Sequence, residues 1–299
     1  AFRSYLETAR QAIEAAIARV EAAMVDAEAR GFTPGAAQVE IEAQLRETLA
    51  DVEAAFRDLG QPAAEAVQKA QGLAAADGVA AAARLGKVAG AVQWESPTVQ
   101  ALEALAGFMS DGSPLRAHFE SIGPDAAVMI RQALAEGIGA GDGARQTAQR
   151  IRTATGMGLD RAETIARTET LRAFREASRQ SYEANADVLD GWVRVCSGDR
   201  RTCAACWALH GSKHEVQTPC ATHPRCRCVM VPSVTGMEQS IPSADTLFGR
   251  LDEAGQREVL GPGRFDAWQA GAPLSGFGRV VDDPRWGPVA EVVPLAEVT

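Results

Sequence analysis

The sequence of 299 residues predicts a mainly α-helical protein with a small α+β domain toward its C-terminal end. Apolar residues in the first 60 positions recur three or four apart, which is the spacing of one helix face. All six cysteines and three of the four histidines fall between Cys196 and Cys228, and short valine-rich runs flank them. We therefore expect an N-terminal helical hairpin or bundle, and then helices leading into a short-stranded metal knuckle.

The N-terminal hairpin is predicted from two apolar stripes. The first stripe occupies residues 6–24, on a helix that should end near Gly31 because glycine commonly follows the last helical residue. A Thr-Pro pair at 33–34 supplies an N-cap and a first-turn proline for the second helix. Its stripe occupies residues 45–59, and the glycine and proline at 60–62 should end it.

The middle of the chain also has helical spacing. Residues 63–92 are dominated by alanine, which favours helix but buries little surface. The glycine-rich residues 137–144 predict a loop or hinge, but they lack the strand and the Lys-Ser or Lys-Thr of a phosphate-binding loop. Asp160 is predicted to cap the last helix of this region. The other helical stretches are residues 99–108, 115–122, 125–137, 144–154 and 160–186.

The last third of the chain predicts two short strands and one helix. Residues 192–195 and 229–231 are short and rich in valine, which is typical of strands. Ser243 can cap a helix that the Gly-Pro-Gly sequence at 261–263 should end. Glycine, proline and aspartate dominate the remainder, so we expect an irregular arm that is ordered only where Trp286 docks. The predicted domains are residues 1–120, 121–235 and 236–299.

Charge and hydropathy argue against several classes of function. A net charge of −9 is unsuited to coating duplex DNA through lysine and arginine. Residues 145–201 are locally basic, with 11 arginines against 8 acidic residues, and we favour a solvated helix face with i,i+4 ion pairs over contact with nucleic acid. Because the sequence has no secretion signal and no long apolar run, we expect a protein of the reducing cytosol without a membrane partner.

The cysteine-rich segment has the spacing of a structural metal site. Cys203 and Cys206 form a CxxC pair, whose short gap lets a tight turn present both thiolates to one ion. Seventeen residues after Cys206, the residues His223, Cys226 and Cys228 form an HPxCxC motif. Four Cys or His ligands close a structural zinc site, so we expect zinc bound by four of these five residues.

Other chemistry fits the segment less well. Disulfides and reduced, unliganded thiols are alternatives, and Cys196 and Cys220 could pair with each other in an oxidised chain. A metalloprotease needs a second histidine after His214, and a zinc deaminase needs its HxE motif before PCxxC. His210 and His214 are expected to be loop residues. We therefore expect no catalytic residues and no enzyme activity.

Three motifs together resemble one known family. They are RAETIARTETLRAFREA at 161–177, DRRTCAACWALHG at 199–211 and HPRCRC at 223–228. Their order and spacing are similar to the phage Mu F-like head-morphogenesis domain of tailed-bacteriophage minor capsid proteins, over about residues 126–232. The tail at 257–271 is similar to the one that often follows that domain. The patterned residues of the family fall here at Ala166, Arg167, Thr168, Glu169, Thr202, Cys203, Cys206, Gly211, His223, Pro224, Cys226, Arg227 and Cys228.

The resemblance implies a minor head protein that is present in few copies near the portal and acts in head morphogenesis. Its expected partners are portal, major capsid or scaffold proteins and, as in some relatives, packaged DNA, without a small-molecule substrate. Its expected location is the virion, in the head interior or portal region, after assembly in the bacterial host cytoplasm. The alternatives are an enzyme attached to the domain, such as a nuclease or toxin-like transferase, and an Arg-rich DNA-binding module. Arg167 or Glu169 is expected to tie its helix to the knuckle.

Overall fold

The computed structural model describes residues 1–33, 37, 41–91, 93–109, 112–113, 115–140, 142–283 and 287–298. Its helices are α1 (Phe2–Ala29), α2 (Glu42–Val88), α3 (Val99–Glu103), α4 (Leu115–Ala140), α5 (Ala144–Glu183), α6 (Ala204–Ala208), α7 (Ala244–Phe248), α8 (Glu253–Leu260) and α9 (Pro262–Gln269). Its strands are β1 (Leu189–Val195), β2 (Lys213–His214), β3 (Val229–Val234), β4 (Gly278–Asp283) and β5 (Gly287–Val292). The predicted mainly helical class with a small α+β part is confirmed.

Contacts within the chain define two compact units. The first comprises residues 1–69 and 107–166, and the second comprises residues 70–106 and 167–299. The domain boundaries predicted near residues 120 and 235 follow sequence motifs, not contact density, and they stay predictions. None of the helices in the described ranges combines the length and the apolar character that a bilayer crossing requires.

The first unit is built on the apolar stripes that the sequence predicted. Ile13, Ile17 and Val20 of α1 are buried in one cluster with Phe56 of α2. The helix α1 ends at Ala29, close to the predicted position, and Gly31 follows with a φ of 94°. The predicted helix start at Pro34 lies outside the described residues.

The helix α2 does not end at Gly60 and Pro62, where the sequence predicted its end. Pro62 has no N–H group, so it removes one hydrogen bond of the helix. Burial on both sides offsets that loss, because Leu59 is 4% exposed and Ala63 is fully buried. A Cβ built on Gly60 would lie at ordinary contact distance from α4, 3.7 Å from the backbone of Glu120, so the packing of α4 leaves room for a small side chain at this position.

The helices α4 and α5 are also longer than predicted. The helix α4 passes through Pro124 and includes residues 137–140, which the sequence assigned to a loop. Asp160 lies inside α5 and is not an N-cap. The predicted breaks were wrong because apolar residues on both sides of each break, such as Ile122 and Ala126, enter the same buried cluster.

The second unit contains an antiparallel sheet with the order β2-β1-β3. The strands predicted at 192–195 and 229–231 are confirmed within β1 and β3. Trp192 of β1 lies opposite His214 on one side and Pro232 on the other. His214 therefore belongs to a strand and not to a loop, and its ring stacks on Trp192 at a centroid distance of 4.2 Å. The cysteine segment therefore lies in the chain between β1 and β3 of this sheet.

The C-terminal residues form three short helices and a hairpin. Ser243 caps α7 as predicted, because its Oγ accepts a hydrogen bond from a first-turn amide at 3.2 Å. The helix ends at Phe248, however, and Pro262 begins α9 where the sequence predicted a stop, since proline suits the first helical position. The predicted irregular arm was wrong, because β4 and β5 pair as an antiparallel hairpin. Trp286 lies outside the described residues.

Candidate metal centre

The CxxC pair lies at the start of the short helix α6. Cys203 is the N-cap residue of this helix, and its Sγ accepts a hydrogen bond from the amide of Cys206 at 3.4 Å. Trp207 is fully buried and packs edge-on against Phe248 at a centroid distance of 5.1 Å. The apolar anchor of α6 therefore fixes the direction in which both thiols point.

The HPxCxC motif approaches from the loop before β3. The Nε2 atom of His223 lies 3.2 Å from the Sγ of Cys203 and 3.1 Å from the Sγ of Cys206. The Nδ1 atom lies 2.8 Å from the carbonyl oxygen of Pro224, which can only accept a hydrogen bond. Nδ1 therefore carries a proton, and in a neutral ring Nε2 faces the thiols as an electron-pair donor. Histidines that bind metals are oriented in this way.

The structure brings all five predicted ligands together, in two groups that share Cys206. Cys203, Cys206 and His223 form one group, and Cys206, Cys226 and Cys228 form the other, with ligand atoms within 4.8 Å of one another in each. All five line a cavity of about 10 Å³. The Sγ atoms of Cys206 and Cys226 are 3.8 Å apart. Two thiolates bound tetrahedrally to one zinc ion at about 2.3 Å would be about 3.8 Å apart. The cluster therefore can hold a metal ion.

The thiols and the imidazole of the cluster are electrostatically coupled. A hydrogen bond with Cys206, together with the nearby His223, lowers the pKa of Cys203 to about 4. The neighbouring thiols Cys203, Cys226 and Cys228 raise the pKa of Cys206, whereas the pKa of Cys226 is lowered by its hydrogen bonds with Cys206 and Cys228. Hydrogen bonds to Cys203 and Cys226 raise the pKa of His223 to about 10. Without a metal, these couplings favour thiolate at Cys203 and imidazolium at His223, so a metal that binds His223 must displace the proton on Nε2.

Arg194 of β1 places a buried positive charge beside these thiols. The residue is 1% exposed, and its Nη2 donates hydrogen bonds to the Sγ atoms of Cys206 at 3.5 Å and Cys226 at 3.8 Å. Its Nη1 donates to the carbonyl oxygen of Ala221 and to the Sγ of Cys220 at 3.6 Å. Burial disfavours the charged guanidinium, but the four surrounding thiols outweigh this effect and raise the pKa of Arg194. No local sequence pattern identifies Arg194 as a neighbour of these thiols.

The helix α5 is tied to the knuckle through two residues on one of its faces. Arg175 is 5% exposed and donates hydrogen bonds to the carbonyl oxygens of Cys226 and Cys228, the latter at 2.8 Å. Thr168 lies seven residues earlier, and its Oγ1 accepts a hydrogen bond from the amide of Arg225 at 3.0 Å. A spacing of seven places both residues on one helix face, which is the sequence signal that could have identified Arg175.

The sequence predicted that Arg167 or Glu169 connects α5 to the knuckle. Glu169 is 2% exposed, and its carboxylate accepts a hydrogen bond from Arg172 of the same helix at 2.6 Å. The contacts described above show that Thr168 and Arg175 connect α5 to the knuckle, and a connection through Arg167 or Glu169 stays a prediction.

Asp199 joins the two halves of the knuckle. Its carboxylate accepts hydrogen bonds from both Nη atoms of Arg227, one at 2.7 Å. It also accepts hydrogen bonds from Thr202 Oγ1 at 3.1 Å and from the amide of Arg201 at 3.0 Å. The hydrogen bond from Arg227 is the main cause that lowers the pKa of Asp199. Thr202 and Arg227 therefore hold the CxxC turn against the HPxCxC loop.

The remaining cysteines and histidines lie outside the two ligand groups. All six cysteines are free thiols in the structure. Burial raises the pKa of Cys196 to about 11, and Cys220 contacts Arg194 as described above. His210 lies in a turn, as predicted, and it is buried: its Nδ1 accepts a hydrogen bond from the amide of Cys196, and its Nε2 donates one to the carbonyl of Pro242. Its two hydrogen bonds connect the backbone at Cys196 to the backbone at Pro242.

The C-terminal elements complete the core of the knuckle. Phe248 and Phe277 are fully buried in one apolar cluster with Cys206, Cys226 and Cys228. The hairpin also pairs with the loop that carries His223, since the amide of Ala290 donates to the carbonyl of Thr222 at 3.0 Å. The knuckle and the C-terminal elements therefore share one hydrophobic core.

The helices of the second unit lead into a small antiparallel sheet and a Cys/His cluster that could hold a metal ion. Residues 128–231 match the family described as phage Mu protein F like protein. The matched region contains all five candidate ligands. Comparisons with curated proteins and with solved structures found no match.

Proposed function

We propose that this protein is a minor head protein that acts in head morphogenesis of a tailed phage or prophage. The observation that carries the proposal is the family match over residues 128–231. The proposal includes a place in the virion near the portal, and portal, capsid or scaffold proteins as partners. It includes no chemical reaction.

The ion pairs of the arginine-rich stretch favour a protein-assembly role over a DNA-binding module. In the first unit, Arg152 pairs with Glu14 and Glu21 at 3.1 and 3.3 Å. In the second unit, Arg179 pairs with Glu176 at 2.5 Å and also with Glu183. Arginines paired in this way offer less positive charge to phosphate than the sequence count suggests.

In this function the Cys/His cluster holds a structural zinc ion. We assign Cys203, Cys206, His223 and Cys226 as its four ligands, and we place Cys228 outside them. The support comes from His223, whose Nε2 faces two thiols, and from the Cys206–Cys226 distance of 3.8 Å, which suits two thiolates on one ion. Zinc bound by four protein ligands has no open position for substrate, so its contribution is to folding.

The assembly role is tested with a deletion in the phage or prophage that encodes the chain. Virions produced without the protein should have malformed heads, seen by electron microscopy, or should deliver DNA poorly, measured as plaque-forming units per particle. Mass spectrometry of purified wild-type virions should find the protein in few copies per particle. Normal heads with full infectivity would contradict the proposal.

The zinc site is tested by elemental analysis of the full-length protein purified under reducing conditions. About one equivalent of zinc is expected for a single four-ligand site. Cys226→Ser should lose the metal, whereas Cys228→Ser and the control Cys196→Ser should retain it. If Cys228→Ser loses the metal and Cys226→Ser retains it, then Cys228 is the fourth ligand and Cys226 is not. Less than about half an equivalent in the wild-type protein would refute the site.

A further inference from the structure

We infer that Arg194 is a positioning residue of the metal centre, whose buried guanidinium balances the charge of the metal-bound thiolates and directs Cys206 and Cys226 toward the ion. The inference rests on the proposed zinc site, and it adds to the four ligands a residue that positions two of them.

The first argument is the environment of the charge. An arginine side chain does not lose its proton in a protein, so Arg194 brings a permanent charge into a site where it is 1% exposed. Such a charge is stable only beside compensating groups. Within the described residues, no carboxylate lies within ion-pair distance of Arg194, and its hydrogen-bond acceptors are three sulfur atoms and one carbonyl oxygen. Thiolates are therefore the compensating charges that its contacts provide.

The second argument is the charge balance of the proposed ligand set. Three thiolates and one neutral imidazole around a divalent ion carry a net charge of −1, and the guanidinium of Arg194 makes the sum zero. Four thiolates would carry −2 and would leave one negative charge uncompensated by Arg194. The charge of Arg194 thus balances the set that contains His223, whereas Arg175, which is also buried near the cluster, donates to the carbonyl oxygens of Cys226 and Cys228.

The third argument is the geometry of the guanidinium. Nη2 contacts the thiols of Cys206 and Cys226, while Nη1 contacts the peptide at Ala221, close to His223 in the chain. Nε is buried without a hydrogen-bond partner among the described residues, so these two ends position the side chain. A lysine has one compact ammonium group and cannot bridge both sets of acceptors as the planar guanidinium does.

Hydrogen bonds from Arg194 should also tune the bound sulfur atoms. An N–H group that donates to a metal-bound thiolate withdraws electron density from the sulfur. The thiolate then becomes a weaker nucleophile, and its charge-transfer absorption to a bound transition metal moves to higher energy. A residue that only filled space would change neither property.

The experiment compares full-length wild type, Arg194→Lys, Arg194→Met and the control Arg200→Met. Arg200 lies near the knuckle but pairs with Asp252 on the exposed surface. Each protein is titrated with Co²⁺ to record the thiolate charge-transfer band. Zinc affinity is measured against a chromophoric chelator, and the rate of thiol alkylation by iodoacetamide is followed with zinc bound.

Arg194→Met should bind zinc about 10- to 100-fold more weakly, with a lower-energy charge-transfer band and faster alkylation. Arg194→Lys should lie between it and the wild type, and Arg200→Met should match the wild type. Wild-type affinity and spectrum in Arg194→Met would overturn the inference. If Arg194→Met does not fold, Arg194→Lys provides the test. A wild-type spectrum in Arg194→Lys would show that the contacts of both Nη1 and Nη2 are not required, and it would overturn the inference. A wild-type protein that binds neither metal would instead refute the zinc site itself.

Discussion

The helical first unit and the cysteine knuckle are stabilised in different ways. In the first unit, long helices bury a continuous apolar surface, and α2 passes through Gly60 and Pro62 without ending. In the knuckle the elements are short, and buried Arg175 and Arg194 contact specific carbonyl and sulfur atoms. Where burial is continuous, one unfavourable residue is tolerated. In the knuckle, the loss of one buried arginine would leave several carbonyl and sulfur atoms without their hydrogen-bond donor, so we expect it to cost more.

Metal removal should give the largest difference between these regions. Structural zinc contributes about 10–16 kcal/mol in zinc-finger peptides, so chelation should unfold the knuckle locally. We expect backbone amides of residues 196–234 to lose protection from hydrogen exchange, while those of residues 2–29 and 115–133 keep theirs. Mass spectrometry of exchanged peptides measures both regions in one sample. Unchanged protection in the knuckle, or equal loss in both regions, would contradict the comparison, and chelator presaturated with zinc is the control.

Two phenylalanine variants should sharpen the comparison. Phe248 of the knuckle core is fully buried and Phe56 of the first unit is 1% exposed. Replacement of either residue by alanine should lower the free energy of unfolding by about 3–5 kcal/mol. Only Phe248→Ala should also weaken zinc retention, because Phe248 packs against Trp207 beside the CxxC pair. Urea unfolding and chelator competition measure the two effects, and equal zinc retention in both variants would count against this linkage.

A smaller effect is expected where the hairpin meets α6. A Cβ built on Gly278 would lie 2.7 Å from the Cα of Ala205 and 2.8 Å from the Cβ of Ala208. Gly278→Ala should therefore destabilise the second unit by about 1–3 kcal/mol through overpacking. Gly276→Ala is the matched control, because its Cβ would meet only Pro273 at 3.8 Å. Equal thermal stability of the two variants would contradict this prediction, because it would show that the hairpin shifts to accommodate the added methyl group.

The smallest effect concerns a pH-dependent ion pair on α5. Burial disfavours the ionised form of Glu176, but hydrogen bonds and the charge of Arg179 outweigh it and lower the pKa of the carboxyl group. The ion pair therefore stabilises the fold above the unfolded-state pKa of about 4.3, and this stabilisation is lost as the pH falls through the lower folded-state pKa. Glu176→Gln should lose about 1 kcal/mol at pH 7, and urea unfolding should show a smaller difference from wild type in acid. A difference that does not shrink would contradict this assignment.

The features that the sequence predicted correctly are those with local causes. The stripe of α1 and the strands around the cysteines follow from short-range periodicity, and the proximity of Cys203 to Cys206, or of Cys226 to Cys228, follows from their short spacing. Whether these residues bind a metal stays a prediction. The lengths of α2 and α4 were not predictable in this way, because the local effect of Pro124 is overruled by residues distant in sequence. Arg194 was missed for the same reason, since its sulfur partners lie 12 to 32 residues away along the chain.

The shared core of the knuckle has a consequence for biosynthesis. The family match ends at residue 231, yet Phe248 and Phe277 are part of the apolar cluster that covers the cysteines. During translation all five candidate ligands leave the ribosome about 50 residues before Phe277, and domains fold as their sequence emerges. The thiols are then open to solvent while the residues that cover them are still being synthesised. We expect metal capture to come first on the nascent chain and hydrophobic closure to follow, so the concentration of available zinc during synthesis should set how much protein matures.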